Sequence, residues 1–189
     1  MVKLLGICGS LRQGSYNSAL LRRAAELMPD GATLEIGTIA GIPLYDGDVE
    51  AADGLPAAVT LLKQQIAACD GLLLATPEYN NSIPGVFKNA IDWTSRPSSD
   101  IARIFGGKPV AIIGASLGGF GTILSQNAWL PVLRTLGCDT WNGGRMLVSG
   151  AGKAFAEGKL VEATVEERLQ AFLDAFATYV ANRPSRHGA

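Results

Sequence analysis

Hydrophobic positions come in short continuous runs that alternate with longer segments of helical spacing. Runs at Lys3–Cys8, Thr33–Gly37, Gly71–Thr76 and Pro109–Ala115 predict β-strands, and a weaker run lies near Asp139–Asn142. GLLLAT and PVAIIGA show no polar alternation, as expected of central parallel strands covered on both faces. Between the strands the spacing predicts helices over Ser18–Met28, Pro56–Cys69, Pro84–Trp93, Thr122–Leu136 and Val165–Asn182. In the last of these Val165, Leu169, Phe172, Leu173, Phe176 and Val180 form one apolar stripe. Asn17 is the expected cap of the first helix and Pro29-Asp30-Gly31 its stop, while Pro131 predicts a kink in the fourth.

Five strands alternating with five helices imply a doubly wound α/β sandwich around a parallel sheet. No repeat, low-complexity tract or linker divides the chain, and 189 residues are enough for one sizeable core. We expect one domain over residues 1–182 and a flexible polar tail over 183–189. In such folds ligands bind beyond the carboxyl ends of the strands, where the strand order reverses. That rule selects the loops 9–17, 76–84 and 115–122.

Composition narrows the chemistry. A net charge of −1 gives no electrostatic footprint for nucleic acid and no polybasic patch for a membrane. The start, MVKLLGICGS, fits neither a secretory signal nor a span of about 20 apolar residues, so a cytoplasmic protein is expected. Cys8, Cys69 and Cys138 are far apart and read as small buried hydrophobes in a reducing compartment. The one histidine, His187, lies in the tail, which argues against imidazole chemistry. Asp46 and Asp48 in LYDGDVE lack the other ligands of a calcium loop, and no metal is expected.

The first loop, GSLRQGSYN, is neither G-x-G-x-x-G nor a Walker loop. Ser10, Ser15 and Asn17 supply short donors and Arg12 a charged fork, which suits one terminal phosphate monoester. The plainer alternative is that Ser15 or Asn17 caps a helix and Gly9 turns the chain. In the second loop two prolines, Pro77 and Pro84, enclose an aromatic and several amides, suited to a planar ligand; the alternative is an ordinary strand–helix connection. The glycines of the third loop, Gly114 to Thr122, permit close approach to a flat ring or simply make a turn.

Together, GSLRxxSxN after the first strand and PEYNxSxPGxxKNAIDW after the third closely resemble the NADPH-dependent FMN reductase family of the flavodoxin-like superfamily, nearest its quinone and chromate reductase branch. The resemblance runs from residue 3 to about residue 180. It implies a flavodoxin-like three-layer sandwich, a five-stranded parallel sheet in order 2-1-3-4-5 with helices on both faces. It also implies non-covalent FMN, NADPH or NADH as hydride donor, and a dimer or dimer of dimers. By the same resemblance Ser10, Arg12, Ser15 and Asn17 hold the FMN phosphate. Pro77, Glu78, Tyr79 and Asn80 then lie along the isoalloxazine, mostly through backbone, and Ser116, Gly118 and Gly119 approach from the other side. Arg96, just after the Asp92-Trp93 pair, fits a position linked to activity in related reductases.

In this reading the hydride passes through flavin N5 to a small acceptor (quinone, chromate, azo dye, nitro compound or free flavin), so no side chain need act as general base. Without a second nucleotide cradle the donor and acceptor visit one site in turn, which predicts ping-pong kinetics. Glu78 reads as solvated or capping, Tyr79 as a wall of the pocket, Trp93 as core or subunit interface, and Lys88 as a surface charge. The segment Trp93–Pro97 is expected to emerge beside the ring and to complete the pocket in an obligate homodimer. Three alternatives stand beside the reductase. A flavodoxin-type electron carrier shares the fold but is generally strongly acidic, a flavin-binding module without turnover is open, and a phospho-sugar enzyme could use the first loop alone.

Overall fold

A computed structural model of the chain describes residues 1–183. The elements run β1 (Val2–Cys8), α1 (Tyr16–Glu26), β2 (Ala32–Gly37), α2 (Gly47–Asp53), α3 (Ala57–Ala68), β3 (Gly71–Ala75) and α4 (Gly85–Thr94). A 3-10 turn at Ser98–Asp100 leads into α5 (Ile101–Ile104), followed by β4 (Pro109–Ala115), α6 (Ile123–Thr135), β5 (Asp139–Thr140) and β6 (Met146–Val148). The chain closes with α7 (Ala151–Ala154), the small hairpin β7 (Phe155–Ala156) and β8 (Lys159–Leu160), and α8 (Ala163–Ala181). No helix among the described residues is long and apolar enough to cross a membrane.

The main sheet is parallel, in the expected order β2-β1-β3-β4-β5, with β6 also on β4. The fifth strand is therefore split: β5 pairs with the start of β4 and β6 with its end. Sequence reading found only the first half. The second, Met-Leu-Val, is three residues between Gly143-Gly144-Arg145 and Ser149-Gly150, too short for a periodic signal.

Burial alternates with the pleat, so neighbouring strand residues feed opposite cores. Leu4, Leu73 and Ala111 join one cluster with Leu20, Leu21, Leu169, Phe172 and Phe176 from α1 and α8. Leu5, Leu72, Leu74 and Val110 join the other with Leu62, Ile66, Phe87, Trp129 and Leu133 from α3, α4 and α6. The stripe expected on the last helix is buried throughout.

Several local expectations are corrected. The cap of α1 is Ser15, whose Oγ accepts from the Ser18 N–H (3.3 Å), so the helix begins before Asn17. The LYDGDVE segment enters a short helix, α2, with Asp46 Oδ1 accepting from the Asp48 N–H (2.9 Å). It has no buried residue, hence no stripe to read. α6 continues through Pro131, so the proline does not end the helix. Of the expected tail, Arg183 pairs with Asp139 (2.7 Å) and lies over the Tyr179 ring; residues 184–189, His187 included, lie outside the described residues. Cys8 and Cys69 are buried and Cys138 partly so.

Candidate active site

Because β1, β3 and β4 are parallel neighbours, their carboxyl ends share one edge of the sheet. The ladder continues one step beyond each strand: Gly9 N–H donates to Ala75 O, Thr76 N–H to Ile113 O, and Ser116 N–H to Val148 O, each at 2.9 Å. The three loops therefore leave the sheet from a common level and enclose a cleft of about 400 Å³. Its walls include Ser10, Arg12, Ser15 and Asn17 from the first loop, Pro77, Glu78 and Tyr79 from the second, and Ser116, Leu117, Gly118 and Phe120 from the third.

Gly9 meets a packing demand here. A Cβ at this position would run into the Phe87 ring of α4, which packs directly under the loop. Gly114 is comparable: its Cβ would collide with Thr122 Oγ1 and stand 2.6 Å from the Thr76 carbonyl. These glycines let α4 and α6 sit close enough to support the loops.

At the first loop the chain offers donors and no acid. Ser15 caps α1 through its oxygen lone pairs, and the N–H groups of Tyr16 and Asn17 begin a helix whose first turn has no carbonyl for them. Arg12 is exposed; its guanidinium donates to Gly14 O (2.6 Å) and lies 5.6 Å from the Tyr16 ring centroid. An exposed backbone carbonyl is a partner that a dianion can replace. The donor set fits one phosphate monoester: two hydroxyls, a guanidinium and helix N-terminal amides.

Asn17 reaches the same wall but is already occupied. Its Nδ2 donates to Ala115 O (2.9 Å) and its Oδ1 accepts from Ala115 N–H (2.8 Å), tying α1 to the end of β4. The side chain thus fixes the cleft, and of its amide donors one N–H remains beyond the bond to Ala115. In the second loop Tyr79 and Ser82 exchange backbone hydrogen bonds (3.2 and 3.0 Å) around Asn80 and Asn81, which have φ of +50° and +63°. This is a two-residue type I′ hairpin tip, for which the Asn-Asn pair was the legible signal. Asn80 sits in that tip and does not line the cleft; neither does Gly119.

Arg96 is elsewhere. Ten residues of α4 separate it from the second loop, about 15 Å at the α-helical rise, so the segment does not emerge beside the cleft of its own chain. Its Nε bonds Glu50 Oε2 (2.8 Å), the same oxygen that accepts from the Tyr45 hydroxyl (2.9 Å). The ion pair raises the Arg96 pKa and, with the Tyr45 bond, lowers that of Glu50; the Glu50 bond in turn raises the phenol of Tyr45. The Arg96 carbonyl accepts from buried Lys63, which also pairs with Asp100 (2.7 Å). Trp93 is fully buried, its indole donating to Pro43 O (2.9 Å), and so belongs to the core of this chain. Lys88 is paired with Asp92 on its own helix.

Residues 2–153 match the family described as NADPH-dependent FMN reductase. Among known relatives, an NAD(P)H-dependent FMN reductase of Pseudomonas aeruginosa is 48% identical, with 95% of each chain covered. A 2-hydroxy-1,4-benzoquinone reductase of a Burkholderia species is 39% identical, covering 96% of this chain and 98% of the relative. Among solved structures, the flavoenzyme NAD(P)H:(acceptor) oxidoreductase of Paracoccus denitrificans superposes with a TM-score of 0.85 at 32% identity, covering 96% and 98% of the two chains.

Proposed function

The chain belongs to the NADPH-dependent FMN reductase family, and on that premise we propose that the three-loop cleft holds FMN and serves one hydride-transfer site visited in turn by the nicotinamide and the acceptor. The protein is an oxidoreductase that uses FMN and NAD(P)H. The finer assignment rests on one observation: an acid-free array of donors at the start of α1, opposite the apolar, exposed side chains of Tyr79, Leu117 and Phe120.

Ser10, Arg12, Ser15 and the first amides of α1 receive the phosphate. Arg12 exchanges Gly14 O for it. Backbone of Pro77, Glu78 and Tyr79 lies on one side of the ring, Ser116 and Gly118 on the other. FMN bound there supplies the hydride chemistry between NAD(P)H and the acceptor. Acceptors are quinones first, with free flavin next, because the open rim favours flat molecules; chromate, a small tetrahedral oxyanion, is a further candidate that needs only access to the flavin. Its apolar side chains also suit a homodimer or dimer of dimers, in which a neighbouring chain narrows the pocket and brings its Arg96 near the nicotinamide. A cytoplasmic location fits the reducing chemistry.

The test is a visible spectrum of the purified protein, then anaerobic titration with NADPH and NADH, then initial rates against a quinone. Flavin absorption, bleaching by a pyridine nucleotide and parallel double-reciprocal lines are expected. A colourless protein that takes up no FMN would remove the assignment, and intersecting lines would remove the single shared site. An active monomer in sedimentation would remove the contribution of a neighbouring chain.

A further inference from the structure

Among the described residues lining the cleft, Glu78 carries the one acidic side chain. A free carboxylate there would repel the negative charge that a flavin gains on reduction. This carboxylate is not free. Its Oε2 accepts from the N–H of Leu124 (2.8 Å) and of Ser125 (3.0 Å), two first-turn amides of α6. Those amides have no carbonyl within the helix. Nor does the residue at the cap position serve them: Thr122 has φ of +72° and makes no side-chain cap bond, its hydroxyl accepting from Gln126 Nε2 (3.2 Å). Below, Thr76 Oγ1 and Ser125 Oγ lie 2.9 Å apart, and Trp129 Nε1 donates to Thr76 Oγ1 (3.1 Å). A polar seam thus joins the exit of β3 to the first turn of α6.

From this geometry we infer that Glu78 is a positioning residue: one wall of the cleft caps the helix that supports the other. The cap fixes the second loop against the third, so their ordering is met at folding instead of at ligand binding. It also directs the carboxylate charge to the positive end of α6, where the helix dipole compensates it. The inference rests on the cleft being the FMN site, yet the clamp itself exists in the apoprotein and can be measured there.

The experiment compares Glu78→Ala and Glu78→Gln by amide hydrogen exchange of the apoprotein and by titration with oxidised and reduced FMN. In Glu78→Ala the Leu124 and Ser125 amides should exchange about tenfold faster while β1 amides are unchanged. Oxidised FMN should bind about tenfold more weakly. Glu78→Gln keeps an acceptor oxygen, so it should recover most of both properties. It lacks the negative charge, so its preference for reduced over oxidised FMN should rise by up to about tenfold, equivalent to about 30 mV for a two-electron couple. Unchanged exchange at Leu124 and Ser125 in Glu78→Ala overturns the clamp. A Gln variant as impaired as the Ala variant, or one whose preference moves toward oxidised FMN, overturns the positioning role. Failure of the wild-type protein to bind FMN would instead sink the cofactor assignment, and the exchange data would still decide the clamp.

Discussion

Two arginines set the three-loop cleft apart from the far end of α4. Arg12 lies in the cleft with a backbone carbonyl of its own loop as partner and no carboxylate. Arg96 lies past α4, neutralised by Glu50 and surrounded by Tyr45, Lys63 and Asp100 in a cluster that satisfies itself. Both are partly exposed, flexible and cationic, and sequence reading gave both a role. The difference is the partner. A carbonyl in a solvated loop is readily exchanged for a phosphate, whereas a carboxylate that also anchors a tyrosine is not. Residue type proposes a ligand contact; unspent hydrogen-bonding capacity decides whether the side chain is available for it.

Asn17 is the sharpest trial of that rule, because it stands at the cleft while its Nδ2 and Oδ1 both already bond Ala115. Removing its amide in Asn17→Ala leaves the buried N–H and C=O of Ala115 without partners, at about 1–3 kcal/mol each. The apoprotein should lose roughly 2–6 kcal/mol in urea unfolding, the largest effect on stability among these variants. Asn17→Asp keeps the acceptor and loses the donor, so it should fall between. An apoprotein as stable as wild type would return Asn17 to the ligand and break the comparison.

Arg12→Ala should do the reverse. Its one loop hydrogen bond and its exposed position predict an apoprotein within about 0.5 kcal/mol of wild type. FMN binding should weaken by about 1.5–3 kcal/mol, the worth of a hydrogen bond to a charged group, or roughly ten- to a hundredfold. Riboflavin lacks the phosphate and should bind both proteins equally. Equal losses for FMN and riboflavin would make Arg12 a support for the loop.

The fold was legible because its signals are redundant. Each central strand is a continuous apolar run, each long helix carries a stripe, and the strand order follows from the family that the two loop motifs identify. What was not legible lacked such repetition: β6 is three residues, α2 buries nothing, and the cap of α6 comes from a residue 46 positions earlier in the chain. The candidate site was readable as three loops but not as individual roles. Glu78 read as solvated or capping and does cap, but that it caps α6, and that Asn17 ties α1 to the end of β4, emerges only from the positions of Ala115, Leu124 and Ser125. The displacement of Arg96 from the cleft, in contrast, follows from arithmetic on a ten-residue helix.

Arg96→Ala tests the other side of the comparison. If a neighbouring chain brings this arginine to the nicotinamide, turnover with NADPH should fall by about tenfold, less than the loss of a direct transition-state contact. FMN content and assembly should be retained. Glu50→Gln distinguishes the reasons: it frees Arg96 from its partner without deleting it, so activity should be kept or raised if the guanidinium itself acts. Matching losses in both variants would assign the effect to the cluster, and full activity in Arg96→Ala would leave the residue as scaffold alone.

The smallest expected effect is the acid response of that scaffold. Arg103 first, and then Lys63, hold the Asp100 carboxyl at about 2, below its ordinary 3.8; Arg96 first, and then Tyr45, lower that of Glu50. Both pKa values are depressed in the folded chain. Their stabilising contribution is therefore complete above the ordinary carboxylate range and is lost as pH falls through the folded values. For Asp100 the window runs from about pH 3.8 down to about 2. Because these carboxylates are only partly buried, added salt should shrink the effect. The measurement is the urea midpoint of the apoprotein against pH for wild type and Asp100→Asn. The variant starts lower everywhere, since Lys63 keeps a buried charge with a weaker partner, so the slope is the readout and not the midpoint. A shallower fall below pH 3.8 is expected in the variant. Parallel curves would show that the charges around Asp100 do not hold its proton off, and the claim that the cluster satisfies itself electrostatically would fail with it.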